Sequence, residues 1–102
     1  MARSKRTRAL DITQKTKEKV WERDGYCCII CGSLEARPNS HYIKRSQGGL
    51  GIEKNIGTMC IACHYEYDHG FKYADRIKEK FKEHLMNCYP DWNEADLYYQ
   101  KY

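Results

Sequence analysis

The sequence predicts one small α+β domain with helices at both ends. Three observations support this class: paired cysteines with a two-residue spacer, a short strand motif followed by a glycine-rich loop, and helical apolar patterns on either side. A chain of 102 residues buries only a small core and benefits from a further source of stability. The hydrophobic fraction of 41% and the aromatic fraction of 13% exclude a disordered chain.

The N-terminal region is basic. Residues 1–19 carry seven basic and two acidic side chains, a net charge of +5, which leaves the rest of the chain at −1. We predict a flexible basic arm over residues 1–12 and a single domain over 13–102, with its core at 20–70 and a C-terminal helical extension at 71–102. A basic arm suits attraction to phosphate groups, and a solvated segment without a partner is the alternative.

No stretch of the chain suits a membrane or an export signal. The uncharged runs are far shorter than the ~20 apolar residues of a transmembrane helix. The basic start leads into no apolar signal sequence, so we expect a cytoplasmic location.

The first elements follow from cap and turn residues. Thr13 is a suitable N-cap for a helix that runs to Asp24 and stops at Gly25. After the first cysteine pair, a Pro-Asn turn signal precedes a short strand at residues 41–43. Four glycines between residues 46 and 57 then predict a compact loop with positive φ angles.

Two further helices are predicted towards the C terminus. One starts at the second cysteine pair and ends by Gly70. The other covers residues 73–88 and ends before Pro90, and Asn93 is a candidate cap in the tail. The second helix has an apolar stripe at i, i+4 spacing that would face the core, formed by Tyr73, Ile77, Phe81 and Leu85.

The spacing of the cysteines predicts a metal site. Cys28 and Cys31 form one C-x2-C pair, and Cys60 and Cys63 form a second one. A two-residue spacer lets both sulfurs of a pair face one ion, whereas a disulfide across it would be strained. We therefore predict that these four cysteines hold a structural zinc ion, in preference to disulfides or a redox pair. The alternative register for the first pair uses Cys27, which with Cys88 is otherwise expected to be a small apolar residue.

Four polar residues lie between and after the cysteine pairs. His64 and Asp68 share one helical face at i, i+4, where an imidazole and a carboxylate can chelate a divalent cation such as Mg²⁺ or Mn²⁺. The alternative for this pair is a surface hydrogen bond. His41 can accept a proton from water near neutral pH, and Asn55 suits a loop in which its side chain bonds the backbone.

The order of these motifs resembles the HNH endonuclease family, and in particular its small zinc-ribbon members from bacteriophages and mobile elements. The resemblance covers about residues 20–70. It implies a ββα-metal fold, in which two strands and a helix clamp one catalytic cation apart from the structural zinc, and a metal-dependent endonuclease that hydrolyses DNA phosphodiester bonds. The matching residues are Cys28-x2-Cys31, Ser40-His41-Tyr42-Ile43, Gly48-Gly49, Asn55, Cys60-x2-Cys63-His64 and Asp68.

The resemblance also implies a role for each polar residue. His41 matches the general base that activates the attacking water, and Asn55 matches the asparagine that braces the loop around this base. His64 matches a ligand of the catalytic cation, and Asp68 falls where many members have a second ligand. Many members also have Asp or His immediately before the general base as a ligand, and here that position is Ser40. A serine hydroxyl is a poor ligand, so the cation would rely on the helix pair, waters and the scissile phosphate.

DNA is the partner that the resemblance implies. Lys44 and Arg45 follow the predicted strand and are candidate phosphate contacts, with a solvated charge as the alternative. Small phage members often act beside terminase and portal components in genome packaging, which would place this protein in the host cytoplasm. A monomer with one catalytic centre would nick one strand, and a dimer could cut both.

The alternative function is a non-catalytic zinc-ribbon module that binds nucleic acid. Ser40 keeps this alternative open, whereas His41, Asn55 and His64 favour the enzyme because they have no shared purpose in a pure binding module.

Overall fold

The structure is a computed structural model that describes residues 4–100. The first three residues of the predicted arm and the last two of the predicted extension lie outside the described residues. The elements are helices α1 (Lys5–Leu10) and α2 (Gln14–Arg23), strands β1 (Ala36–His41) and β2 (Ile56–Cys60), and helices α3 (Ile61–Asp68) and α4 (Ala74–Cys88). Short 3-10 turns lie at Arg45–Gln47, Glu53–Asn55 and Glu94–Leu97. The predicted α+β class is confirmed.

A two-stranded antiparallel sheet leads into the central helix. Ala36 at the start of β1 faces Cys60 at the end of β2, and His41 faces Ile56 at the other end. Strand β2 is buried along its length and continues directly into α3. Cys60 is also the N-cap of α3, because its sulfur accepts a hydrogen bond from the N–H of Cys63. The direct junction of β2 and α3 therefore places the second cysteine pair and the following helix face in one rigid unit.

The core lies between this sheet and α4. Phe81 and Leu85 of α4 are fully buried, and the ring of Tyr42 packs edge-on against Phe81 with 5.4 Å between the ring centroids. Gly57 on β2 packs directly against the ring of Phe81, because a Cβ atom at this position would be 2.6 Å from that ring. A side chain at this position would force α4 away from the sheet.

The helix predictions from caps and stripes are confirmed with small shifts at their ends. Thr13 caps α2 by accepting a hydrogen bond from the N–H of Thr16. Helix α4 begins one residue later than predicted, and Tyr73 is exposed, whereas the other three members of its stripe are buried. Asn93 caps the last 3-10 turn as predicted by accepting from the N–H of Ala95. No helix in the described part of the chain is long and apolar enough to cross a membrane.

The strand predicted at residues 41–43 lies earlier in the chain and ends at His41. The N–H of Tyr42 donates instead to the carbonyl oxygen of Asn55 (2.7 Å), and the N–H of Ile43 donates to the Asn55 side chain (2.7 Å). The apolar character of Tyr42 and Ile43 reflects their burial in the core. The sequence therefore placed the strand too late, because buried residues just after a strand have the same composition as the strand itself.

The N-terminal segment differs from the flexible arm predicted over residues 1–12. Its described part contains helix α1, and Leu10 at the end of this helix is only 1% exposed. The N–H of Gly51 donates to the carbonyl oxygen of Ala9 (2.9 Å), and a Cβ atom at Gly51 would lie 2.1 Å from the Asp11 carbonyl oxygen. The buried side chain of Leu10 and the close backbone contact with Gly51 thus hold the segment against the domain. The basic composition of the segment predicts neither contact.

A buried network of charged residues joins α2 to β2 and α4. The Asp24 carboxylate accepts hydrogen bonds from the N–H of Thr58 (2.9 Å) and from Nε2 of His84 (2.6 Å). The Arg23 guanidinium donates to the same carboxylate (2.7 Å) and to the carbonyl oxygen of Ile56 (2.8 Å). Burial by itself raises the pKa of Asp24, but the hydrogen bonds from His84 and Arg23 outweigh it and lower that pKa. The carboxylate is therefore ionised in the folded protein at neutral pH.

Candidate metal centre and active-site cleft

The structure brings the four predicted cysteine ligands together. The Sγ atoms of Cys28, Cys31, Cys60 and Cys63 all lie within 4.8 Å of one another. The sulfurs of Cys31 and Cys60 are 3.6 Å apart. A tetrahedral ion with Zn–S bonds of about 2.3 Å places its sulfurs about 3.8 Å from one another. The cluster therefore fits a metal ion such as zinc.

Among the four cluster thiols, the pKa of Cys28 is lowered, whereas burial raises the pKa of Cys63. Burial raises the pKa of the Cys28 thiol, but backbone N–H groups, including that of Ile30 at 3.4 Å, outweigh it and lower the pKa to about 7.

The remaining cysteines, Cys27 and Cys88, lie outside the cluster. Cys27 donates to the carbonyl oxygen of Asp24 (3.4 Å), so the alternative register through this residue is not formed.

A second site is an open cleft of about 760 Å³ beside α1, the end of β1 and α3. Five residues that the sequence singled out line this cleft: His41, Lys44, Arg45, His64 and Asp68. Arg6 of α1 and His69 line the cleft too. The lining therefore contains three cationic side chains, three histidines and one carboxylate, that of Asp68. Such a surface attracts an anion.

The ring of His41 is held by the N-terminal segment. Its Nε2 atom lies 2.8 Å from the carbonyl oxygen of Leu10. A carbonyl oxygen only accepts hydrogen bonds, so Nε2 carries the proton and the lone pair of the neutral ring is on Nδ1. Burial lowers the pKa of His41, and the nearby charge of Arg45 lowers it further, while the bond to Leu10 raises it in part. The ring is therefore neutral near pH 7, with a free basic nitrogen.

Asn55 lies behind the cleft and does not line it. Its side chain is fully buried, accepts from the N–H of Ile43 (2.7 Å) and donates to the carbonyl oxygen of Leu50 (2.8 Å). Gly49 packs against the same residues, because a Cβ atom there would be 1.7 Å from the Ile43 carbonyl oxygen. This arrangement joins the glycine loop to the chain two residues after His41, and so limits the movement of that chain.

The imidazole of His64 and the carboxylate of Asp68 lie side by side on α3. Nε2 of His64 is 2.8 Å from Oδ2 of Asp68, and both side chains are partly exposed on the cleft. Neighbouring ligands of an octahedral Mg²⁺ ion are about 3.0 Å apart for bonds of about 2.1 Å. The two atoms thus form the surface hydrogen bond that was the alternative to a cation site, and their distance is also close to that of two adjacent ligands of one cation. Lys44 supports the end of this helix by donating to the Asp68 carbonyl oxygen (3.2 Å).

Ser40 does not face the cleft. Its side chain is fully buried, and its hydroxyl has no hydrogen-bond partner within the described residues. Asn39, the preceding residue, is exposed and lines the cleft with His41. Residues two apart on a strand share a face, and this alternation was the signal in the sequence that could have identified Asn39.

Comparison with known proteins identifies a relative. The chain is 31% identical over 58 residues to anaredoxin from Nostoc sp. (strain PCC 7120 / SAG 25.82 / UTEX 2576), and the matched part is 56% of this chain and 76% of anaredoxin. The chain belongs to the anaredoxin family. No protein-family model and no solved structure matches it. The name anaredoxin states no substrate, so the chemistry of the two sites must indicate what this member of the anaredoxin family does.

Proposed function

We propose that the protein is a metal-dependent endonuclease of the HNH type, which hydrolyses phosphodiester bonds of DNA. The observation that carries this proposal is the arrangement of His41, His64 and Asp68 on one cationic cleft. A neutral base, a pair of cation ligands and an anion-attracting surface are the groups that phosphodiester hydrolysis requires. The succession of β1, β2 and α3 around these residues is compatible with the ββα-metal fold.

His41 acts as the general base in this proposal. Its Nδ1 atom takes a proton from a water molecule as the water oxygen attacks the phosphorus, and the P–O3′ bond breaks on the opposite side. The departing O3′ takes a proton from solvent, so the products are a 5′-phosphate and a 3′-hydroxyl. A positioned base of this kind accelerates a reaction by roughly 10²–10⁴-fold.

His64 and Asp68 are the residues that would hold the catalytic cation, Mg²⁺ or Mn²⁺. When bound, such a cation neutralises charge on the scissile phosphate and on the leaving oxygen. In the structure these two atoms form a hydrogen bond of 2.8 Å, so a bound cation would replace the Nε2 proton between them. The four cysteines would hold a zinc ion that stabilises the fold and takes no part in the reaction.

Three cations of the cleft orient the substrate in this proposal. Arg6 lies on α1, Lys44 is held at the end of α3, and Arg45 forms an ion pair with Asp11 at 2.5 Å. Contacts of this type bind phosphates at any sequence, so they position the DNA backbone without specifying bases. Genome packaging beside phage terminase and portal components is the biological setting that the resemblance suggests.

A plasmid assay tests the proposal. Supercoiled plasmid is incubated with the protein in Mg²⁺, in Mn²⁺ and without added divalent cation, and nicking is expected only with a cation. The variant His41→Gln keeps a side-chain N–H that can reach the Leu10 carbonyl oxygen but lacks an equivalent base, so its nicking rate should fall by roughly 10²-fold or more. Lys82→Ala, an exposed change on α4 away from the cleft, is the control with unchanged nicking.

Two results would contradict this proposal. Plasmid that stays intact in every cation, while the protein still binds it, would favour the non-catalytic nucleic-acid-binding module. Equal nicking by His41→Gln and the unsubstituted protein would remove the proposed base.

Electron transfer at the cysteine cluster is a second candidate function. Four thiolates bind iron as well as zinc, and the name of the relative, anaredoxin, has the ending that redox proteins carry. Metal analysis of the purified protein, with its visible absorption spectrum, separates the two. A colourless protein with one zinc ion per chain would reject electron transfer, and a coloured iron protein would support it.

A further inference from the structure

Three aromatic rings form an exposed cluster at the end of α3, beside the cleft. The rings of Tyr65 and His69 are stacked with 4.0 Å between centroids, and those of His69 and Phe71 are stacked with 5.6 Å between centroids. Tyr65 is 55% exposed and Phe71 is 50% exposed, so large ring surfaces face solvent. We call Tyr65, His69 and Phe71 the aromatic platform.

The aromatic platform is held in place by its own backbone. Nδ1 of His69 donates to the carbonyl oxygen of Tyr65 (3.0 Å), which fixes one ring over the other. Gly70 has a φ of +63°, and after it the N–H of Phe71 reaches back to the carbonyl oxygen of Glu66 (3.2 Å). The N–H of Tyr73 donates to the Glu66 carboxylate (2.9 Å). The rings are thus exposed on an ordered turn, so binding a partner would cost little conformational entropy.

The aromatic platform is continuous with the cleft. His69 belongs to both, and Tyr65 directly follows His64 on α3. Lys72 lies next to Phe71 in the chain, and Lys44 lies on the cleft side of the same helix end. A surface of ring faces bordered by cations complements a ligand with flat apolar faces on an anionic backbone.

A nucleic acid strand has this chemistry only where its bases are unpaired. In a duplex each base face is covered by its neighbours, and only base edges are open in the grooves. Unpaired bases stack on exposed aromatic side chains, while the backbone follows a cationic groove. We propose that the aromatic platform binds unpaired bases, so that the cleft takes DNA that is single-stranded at or beside the cleaved bond. This inference rests on the proposed nuclease function for its substrate, and its test is independent of cleavage.

The test measures binding of short DNA strands without added divalent cation. The probe carries 2-aminopurine, whose fluorescence is quenched when it stacks on another ring, and an otherwise identical duplex is the comparison. The variants are Tyr65→Leu, Phe71→Leu and the pair together, which keep apolar bulk but remove the rings. Tyr26→Leu is the matched control, since Tyr26 is a similarly exposed tyrosine that does not line the cleft.

We expect the unsubstituted protein to bind the single strand more tightly than the duplex and to quench the probe. The double variant should bind the single strand about 10-fold or more weakly and lose the quenching, with duplex binding changed by less than about 2-fold. Tyr26→Leu should behave as the unsubstituted protein. Circular dichroism and metal content are measured for each variant to show that the fold is kept.

The outcomes separate this inference from the proposed function. An unquenched probe, or equal loss of single-strand and duplex binding, would overturn the aromatic platform even if the plasmid is nicked. Quenching that depends on Tyr65 and Phe71 would support it even if no plasmid is cut, and the nuclease proposal would then fail alone.

Discussion

The cysteine cluster takes Cys60 and Cys63 from the start of α3, and the cleft takes His64 and Asp68 from further along it. The two sites differ in how much space their side chains leave for other ligands. In the cluster, four equivalent sulfurs lie within 4.8 Å of one another, so a metal ion would have only protein ligands. In the cleft, two candidate ligands border a space of about 760 Å³, so a cation there would keep positions free for water or a phosphate. A closed site of this type stabilises a fold, and an open one can perform chemistry.

The difference also concerns where the stability of each site comes from. A metal ion at the cluster would join the two cysteine segments directly, in addition to the contact of Cys31 with Cys60 and the backbone hydrogen bond from the N–H of Ile29 to the carbonyl oxygen of Thr58 (2.9 Å). The cleft is held by bonds that exist without a metal, namely those of His41 to Leu10 and of Asn55 to the glycine loop. Replacing a cysteine should therefore unfold the cluster. Replacing a candidate cation ligand should leave the cleft folded but inactive in the proposed reaction.

The largest expected effect is at the cysteine cluster. Cys28→Ser should release the metal and abolish the cooperative thermal transition, because apparent binding free energies of structural zinc sites are roughly 10–16 kcal/mol and exceed the stability of a small domain. The measurements are metal content by mass spectrometry and thermal unfolding by circular dichroism. Cys88→Ser is the control, and it should retain both the metal and the transition. A folded, metal-free Cys28→Ser protein would contradict the structural role of the cluster.

A smaller loss of stability is expected away from both sites, in the network around Asp24. Asp24→Asn removes the charge that Arg23 and His84 face in a buried position, which costs about 3–5 kcal/mol when one partner of a buried pair is lost. Urea unfolding of the metal-loaded protein measures this difference. The variant should still hold its metal, and a change below about 1 kcal/mol would show that the metal alone stabilises the fold.

The smallest effect concerns the pH dependence of the cleft. His41 must be unprotonated to accept a proton, and its pKa is lowered from the ordinary value of 6.5, chiefly by burial. The nicking rate should therefore be lost as the pH falls through a midpoint below 6.5, and it should be nearly constant above that value. A pH–rate profile under single-turnover conditions measures the midpoint, with metal content followed at each pH. A midpoint above 6.5 would show that another group limits the rate.

The sequence predicted the parts of both sites that are local in the chain. Two-residue spacers between cysteines bring sulfurs to one side of a turn, and the i, i+4 spacing of His64 and Asp68 places them on one helix face. These relations need no knowledge of the tertiary structure. Helix α4 was predicted for the same reason, because its apolar stripe and the following Pro90 lie within one segment.

The rest of the fold depends on pairs that are distant in sequence. His84 bonds Asp24 across 60 positions, and Lys54 bonds Asp91 across 37 positions, and no spacing rule relates such residues. Ser40 shows a different limit. The resemblance drew attention to the position directly before His41, whereas the pleat of β1 turns that side chain into the core and leaves Asn39 on the cleft.

The bond from His41 to Leu10 makes the beginning of the chain a structural part of the cleft, across 31 positions of sequence. A protein shortened to start after Leu10 would lose the acceptor that fixes the proton on Nε2, and Nδ1 would then carry the proton in a share of the molecules. Expression of this protein for enzymology therefore calls for a chain that keeps α1 and Leu10.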